Sequence, residues 1–236
     1  MIGIDPTPLD LRLVAFGIPI RVHPSFWLGS ILFGSNLQSS QLIFIWVVCA
    51  FISILIHELG HALTAESFGW PTEIVMYFGG GLAISQRNRG NSPWRSIAVS
   101  LMGPLAGFLL YGLVFLVDRL VCQNYKGVLH IPSSDGLGDD YRIYVLVAVN
   151  FLLFMNLYWG LLNLLPVLPL DGGHILESFC ESLGFRDPSG FTLKVGTIVA
   201  GAVAYYFFAK MQQPFAGAMM LMLCMQNAGA LLFERP

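Results

Sequence analysis

The chain has 236 residues, of which 56% are hydrophobic and 11% are charged. A soluble domain carries about a quarter charged residues, so this composition excludes an ordinary water-soluble protein and indicates an integral membrane protein whose apolar surface faces lipid. The formal net charge is −2 and the sequence has no run of basic residues, so nothing in it indicates a nucleic-acid partner.

The predicted elements begin with "LRLVAFGIPIRV", residues 11–22. Polar and apolar residues partly alternate in this stretch, and a Gly and a Pro interrupt it. This pattern predicts a short strand or an interfacial segment. About 20 apolar residues cross a bilayer core, and six later segments are candidates for such spans. The candidates lie at about 24–37, 41–66, 95–117, 141–165, 192–209 and 214–233, and the first is the shortest.

Between the second and third spans lies "EIVMYFGGGLA", in which strand-forming residues lead into Gly79, Gly80 and Gly81. We expect a hairpin at the membrane face, because non-helical backbone is tolerated at that depth only where protein or a cavity satisfies it. The predicted fold is an all-α polytopic membrane protein with a small membrane-associated β segment. We expect residues 1–236 to form one domain.

The positions of Lys and Arg predict an orientation. With six spans, the side that holds both termini carries eight of these residues and the other side carries four. We therefore expect a multi-pass protein of a prokaryotic cytoplasmic membrane with both termini in the cytoplasm. The sequence makes no prediction of oligomeric state.

The second span ends in "HELGH", which places His57 and His61 one helical turn apart on one face. Two imidazoles at this spacing can bind one metal ion, and Glu58 between them can act as a general base, as in zinc hydrolases. Zinc lowers the pKa of a bound water to about 7. Because charges inside a membrane helix cost about 2.5–3.5 kcal/mol each and are functional by default, we predict a catalytic zinc site.

A third ligand is expected from "NLLPVLPLDGGHIL", residues 163–176. Pro166 and Pro169 break the helix, and a broken helix at membrane depth is typical of a polar site. Asp171 lies in this break and is the predicted third ligand. The second and fourth spans run in the same direction, so both motifs reach similar depths near the cytoplasmic face.

Other polar residues have two interpretations. Asn163 could donate a hydrogen bond to a substrate carbonyl or to the developing oxyanion, or it could make a polar contact between helices. Asn156 is better explained by contact between helices. His174 could bind metal, orient Asp171 or simply cap a helix, and His23 is equally ambiguous. The small residues of "GPLAG", Gly103 and Gly107, indicate close helix packing.

With HELGH and NLLPVLPLDGG together, the sequence resembles the site-2 protease family of intramembrane zinc metalloproteases. "RVHPSFW", "FGGGLA" and "GPLAG" are similar to minor landmarks of that family, and the likeness runs from about residue 12 to 180. The resemblance implies that His57, His61 and Asp171 bind one zinc ion, that Glu58 is the base and that Asn163 assists.

The resemblance also implies a function, cleavage within or near the membrane-spanning helices of protein substrates in the lipid bilayer. Many members of the family carry a PDZ or CBS domain, and we expect a compact form without either. Gly79, Gly80 and Gly81 are predicted to help bind the substrate, because the strand beside them could hold an unwound segment by its edge. The alternative is a membrane zinc transporter or metal-binding protein, which needs polar groups on both sides of the site.

Overall fold

The computed structural model describes residues 5–37, 39–86, 92–122 and 141–233. The strands in this part of the chain are β1 (Leu11–Ala15), β2 (Ile18–Val22), β3 (Thr72–Tyr77) and β4 (Gly80–Ser85). The helices are α1 (Pro24–Gly34), α2 (Ser40–Ser67), α3 (Pro93–Val117), α4 (Tyr141–Asn163), α5 (Asp171–Ser182), α6 (Pro188–Ala209) and α7 (Pro214–Phe233). The chain divides into two compact units, unit 1 with residues 1–88 and 102–160, and unit 2 with residues 89–101 and 161–236.

Five of the described helices are long and apolar enough to cross a membrane. Their candidate spans are Ser40–Ser67, Pro93–Leu120, Ile143–Asn163, Pro188–Ala209 and Pro214–Leu232. These bounds agree closely with five of the six predicted spans, and the predominantly helical membrane fold is confirmed.

The remaining predicted span, 24–37, differs from the prediction. It forms the 11-residue helix α1 and a 3-10 turn at Ser35–Leu37. At about 1.5 Å per residue, α1 is roughly 16 Å long, about half of a hydrocarbon core of about 30 Å. Phe26 of this helix packs into the core with the sheet, whereas Leu28, Ile31 and Leu32 are exposed. The predicted orientation, with both termini in the cytoplasm, assumed six crossings and stays a prediction.

The β segment is larger than a single hairpin. The four strands form one sheet in the order β1-β2-β3-β4, with antiparallel outer pairs and a parallel central pair. The stretch 11–22 supplies the hairpin β1–β2, which turns at Phe16 and Gly17, both at positive φ. The predicted hairpin of residues 73–83 is present as β3–β4.

The sheet packs one face onto helices of unit 1. Alternate residues of β2 are buried, as expected of a strand with a single covered face. They form a core with β3, α1 and the C-terminal part of α2, and its buried members are Ile18, Ile20, Val22, Phe26, Ala62, Ile74 and Met76. This core holds the β3–β4 hairpin against the end of α2 that carries the HELGH motif.

The start of α1 is tied to the turn of that hairpin. The Nδ1 atom of His23 accepts a hydrogen bond from the backbone N–H of Ser25 and so caps the helix. The Ser25 hydroxyl lies 2.7 Å from the same nitrogen and accepts a hydrogen bond from the backbone N–H of Phe78. His23 is therefore a capping residue, and Ser25 links the start of α1 to the turn at Phe78 and Gly79.

Helices α2 and α4 pack together within unit 1. Their buried contacts are apolar, from Leu42, Cys49, Ala50, Val147, Phe151 and Met155. One polar contact joins them, from the Asn156 Nδ2 to the Ser53 Oγ at 2.9 Å. Asn156 thus links two helices, as the sequence indicated.

Unit 2 is built on the helix pair α6 and α7. Its buried core consists of Val167, Ala200, Ala204, Met220 and Leu223. Val167 belongs to the loop between α4 and α5, so this core anchors the loop that leads to Asp171.

Asp10 is held at the start of the β1–β2 hairpin by three hydrogen bonds. The Thr7 hydroxyl donates to Oδ1 at 2.6 Å, and the Thr7 N–H and the Arg21 guanidinium donate to Oδ2 at 3.0 and 3.2 Å. The Thr7 hydroxyl is the largest of the influences that lower the pKa of Asp10 from 3.8 to about 2. A carboxylate that accepts several hydrogen bonds is favoured in its charged form.

We expect Thr7→Val to raise the pKa of Asp10, because it removes the hydroxyl, the largest single influence that lowers this pKa. Since the folded pKa is depressed, the stabilisation by Asp10 is complete above about pH 4 and is lost as the pH falls through about 2. Carboxyl NMR of labelled protein in micelles measures the pKa of Asp10 in the wild type and the variant. Thr197→Val is a matched control in α6, and an unchanged pKa of Asp10 in Thr7→Val would contradict the assignment.

Candidate metal centre

Helix α2 brings the two histidines of the HELGH motif into contact. His57 and His61 are one turn apart, and their side chains are buried, with 4% and 8% of the residue surface exposed. The two rings are nearly perpendicular, at 82°, and their Nε2 atoms lie 3.2 Å apart. The helix therefore directs one nitrogen from each imidazole to the same point.

This spacing fits a shared metal ion. Zinc binds imidazole nitrogen at about 2.0–2.1 Å in tetrahedral geometry, so two such nitrogens lie about 3.3 Å apart. The 3.2 Å separation of the Nε2 atoms matches this distance. Two buried imidazole nitrogens that converge at this range form a donor set suited to zinc.

In unit 2, Asp171 is the first residue of α5. The positive end of the helix dipole favours a carboxylate there. The preceding loop is folded tightly onto the first turn, because a Cβ on Gly172 would overlap the Leu164 carbonyl and one on Gly173 would lie 2.7 Å from the Leu168 nitrogen. The two glycines are needed for close approach of backbone to backbone, and this approach sets the position of Asp171.

The three predicted ligands come together. His57, His61 and Asp171 each offer one ligand atom, and these atoms lie within 4.8 Å of one another. No other group of three or more His, Cys, Asp or Glu with such a spacing occurs in the described ranges. Cys49, Cys180 and Cys224 are free and form no part of it.

Glu58 is buried beside the histidines, with 5% of its surface exposed. The backbone of β4 lies against it, since a Cβ on Gly81 would be 2.5 Å from the Glu58 Cγ and 2.8 Å from its Oε1. Glu58 also influences Tyr77 in β3. Burial raises the pKa of Tyr77, and the negative charge of Glu58 raises it further. Neither the contact of Gly81 with Glu58 nor the influence of Glu58 on Tyr77 is readable from the sequence.

Two other glycines allow α2 and α3 to meet at the histidines. A Cβ on Gly60 would overlap the backbone carbonyl of Met102, and a Cβ on Gly103 would overlap the Nε2 atom of His61. The "GPLAG" spacing indicated close packing, and the structure identifies its partner as a histidine of the candidate centre. The sequence pattern predicted close packing of α3 but not the residue that α3 contacts.

The remaining predicted residues are more dispersed. Asn163 is buried at the last position of α4. Gly79 lies in the β3–β4 turn at φ 84°, and a Cβ on Gly80 would make an ordinary contact with Trp159 at 3.6 Å. His174 is partly exposed on α5, with its Nδ1 atom 3.9 Å from the Glu177 carboxylate. It does not belong to the group of three ligands.

Comparison with known proteins identifies similar chains. The sequence profile described as peptidase family M50 matches residues 45–122 and 115–207. A zinc metalloprotease of Methanocaldococcus jannaschii is 25% identical over 188 residues, which cover 78% of this chain and 49% of that protein. Stage IV sporulation protein FB of Bacillus subtilis is 28% identical over 179 residues, which cover 75% and 53%. The chain thus spans about half of the length of these relatives.

A similar fold occurs among solved structures. The site-2 protease from Methanocaldococcus jannaschii matches 94% of this chain and 95% of its own, with a TM-score of 0.59 and 23% sequence identity. At this identity the match shows a shared fold.

We expect Gly103→Ala to weaken metal binding, because the added methyl group occupies the position of the His61 Nε2 atom and forces the imidazole to turn away. An overpacked site costs about 1–3 kcal/mol, which is roughly a 5- to 150-fold loss of zinc affinity. Gly112→Ala is the matched control, because a Cβ at this position of the same helix meets nothing within 4 Å. Zinc titration of both purified variants measures the effect, and equal affinities would contradict the assigned contact.

Proposed function

Because this chain belongs to peptidase family M50, we propose that it is an intramembrane zinc metalloprotease that cleaves membrane-protein substrates within or near their transmembrane helices. The observation that carries this proposal is the group formed by His57, His61 and Asp171 at the end of an apolar helix. We treat residues 1–236 as a single metalloprotease domain.

In this proposal the two imidazoles and the Asp171 carboxylate hold one zinc ion and leave its fourth position open. An open position is typical of catalytic sites, whereas structural sites are closed by four protein ligands. When bound, zinc acts as a Lewis acid for water and for the peptide carbonyl. The burial of the histidines keeps them in a low dielectric, which strengthens their attraction for a cation.

Glu58 is the proposed general base. It follows His57 directly on α2 and is buried, with the backbone at Gly81 against its side chain. That contact restricts where the carboxylate can lie. Its role is to take a proton from the attacking water and to give it to the leaving amine.

Asn163 is proposed to assist catalysis as a hydrogen-bond donor. Its amide can donate a hydrogen bond to the carbonyl oxygen of the scissile peptide, where negative charge develops during attack. Its burial at the end of α4 supports this role, because a donor out of water is worth more in a low dielectric.

The substrate enters as an extended segment in this proposal. Strand β4 pairs with β3 on one side and is an edge of the described sheet. An exposed edge can bind an extended peptide by main-chain hydrogen bonds. Gly79, Gly80 and Gly81 lie at the start of this edge, and Gly81 is next to Glu58, so a segment bound there would run toward the base.

We place the protein in the cytoplasmic membrane of a prokaryotic cell, with membrane proteins as its substrates. Its similar relatives include bacterial and archaeal proteins. Membership of a peptidase family favours hydrolysis over the alternative of zinc transport.

The proposal predicts that Glu58→Gln keeps its zinc and loses cleavage of a model transmembrane substrate. Removal of a general base costs about 100- to 10,000-fold in rate, while the ligand set is unchanged. Both proteins are purified in detergent, and their zinc content and initial cleavage rates are compared.

His174→Ala is the matched control, because this histidine is next to the α5 N-terminus but outside the ligand group. It should keep both zinc and cleavage. Equal rates for wild type and Glu58→Gln would refute the base, and zinc uptake into vesicles that survives Glu58→Gln would favour a transporter.

A second prediction concerns the β4 edge. The two-residue turn at Phe78 and Gly79 makes the pair Tyr77 and Gly80 hydrogen-bonded. Bonded and non-bonded pairs alternate along an antiparallel ladder, so Ala83 directs its N–H away from β3. We expect Ala83→Pro to remove one bond to the substrate, worth about 0.5–1.5 kcal/mol, and to lower kcat/KM about 2- to 10-fold with normal zinc content.

Ala83→Ser keeps the N–H and serves as the control for the altered side chain. Cleavage at the wild-type rate by Ala83→Pro, with the sheet intact by circular dichroism, would rule out binding of the substrate at this edge.

A further inference from the structure

Asn227 is a buried amide in an otherwise apolar span. It lies on α7, which is long and apolar enough to cross a membrane, and 1% of its surface is exposed. Polar residues in such a helix are costly and are retained for a function or for contact between helices. The profile of peptidase family M50 matches no residue beyond 207, so α7 lies outside the matched part of the chain.

The amide binds the loop that leads to Asp171. The Asn227 Nδ2 atom donates one hydrogen to the Leu168 carbonyl at 2.6 Å and the other to the Leu223 carbonyl of its own helix at 2.9 Å. Both hydrogens of the amide are therefore used. The two carbonyl acceptors also fix its orientation, because a flipped amide would present its oxygen to them.

The Leu168 carbonyl needs a donor from outside the loop. Turn-type backbone bonds within the loop end on the carbonyls of Leu162, Leu165, Val167 and Leu170. The bond from Asn227 therefore satisfies a carbonyl three residues before Asp171 and holds the loop at that point.

Gly196 of α6 also packs against the Asn227 side chain and the loop. A Cβ on Gly196 would lie 2.5 Å from the Asn227 Oδ1 atom and 3.3 Å from the Val167 Cα. The position must be glycine for the amide and the loop to pack together. Val167 itself is fully buried in the core of unit 2, so the loop is held by packing on one residue and by a hydrogen bond on the next.

We infer that Asn227 is a positioning residue for the metal centre, acting through the Leu168 carbonyl on the placement of the Asp171 carboxylate. This inference rests on the proposed role of Asp171 as a zinc ligand. It extends the functional part of the chain to α7. Residues that orient a metal ligand typically change metal affinity by about 10- to 100-fold when they are replaced.

The test is the zinc affinity of Asn227→Leu, which has a similar shape but no hydrogen to donate. We expect its zinc dissociation constant, measured against a competing chelator in detergent, to rise about 10- to 100-fold, and excess zinc to restore cleavage. Asn150→Leu is the matched control, because Asn150 is a buried amide whose Nδ2 atom bonds to its own helix, at the Leu146 carbonyl. Equal dissociation constants for the two variants would overturn the inference.

A purely structural role would lower the melting temperature of the metal-free protein without changing the zinc dissociation constant of the folded fraction. If Asn227→Leu does not fold, Gly196→Ala perturbs the same amide from α6, with Gly201→Ala as its control, since a Cβ there meets Cys224 at an ordinary 3.4 Å. Unchanged zinc affinity in Gly196→Ala would then overturn the inference. Absence of zinc binding by the wild type would instead overturn the proposed function, and with it the role of Asn227.

Discussion

The convergence of two imidazole nitrogens inside an apolar helix is the constraint to which the surrounding structure conforms. His57 and His61 hold their Nε2 atoms 3.2 Å apart, a separation that fits two nitrogens bound to one zinc ion. Glycines in the neighbouring elements allow backbone to approach these residues closely. Gly60 and Gly103 let α3 lie directly against this turn of α2, and Gly81 does the same for β4 at Glu58. Backbone at a glycine thus lies directly against the side chains of His61 and Glu58.

A second set of glycines has the same use around Asp171. Gly172 and Gly173 let the preceding loop fold onto the first turn of α5, and Gly196 makes room for the amide that holds this loop. Glycine in a helix costs about 1 kcal/mol relative to alanine, so each of these positions sacrifices some helix stability. In return, backbone contacts position the Asp171 carboxylate. Such contacts vary less than contacts made by flexible side chains.

Much of this arrangement could be predicted from the sequence because its signals are local. The i, i+4 spacing of His57 and His61 and the proline-broken helix before Asp171 both point to a polar site by their own geometry. The length of α1 could not be predicted in the same way, since apolar composition alone does not show where a helix stops. The last residue of α1 lies in a tertiary contact that the sequence does not reveal, as a Cβ on Gly34 would lie 2.7 Å from the Trp46 ring. Asn227 was missed because no motif surrounds it, and its partner is 59 residues away.

The capping contact at the start of α1 reaches beyond the helix that it begins. The His23 Nδ1 atom accepts a hydrogen bond from the Ser25 N–H, and the Ser25 hydroxyl, 2.7 Å from the same nitrogen, accepts one from the Phe78 N–H. Phe78 belongs to the turn that leads into β4, and Gly81 of β4 lies against the Glu58 side chain. The backbone beside that carboxylate is thus anchored, through one serine, to the cap of a neighbouring helix.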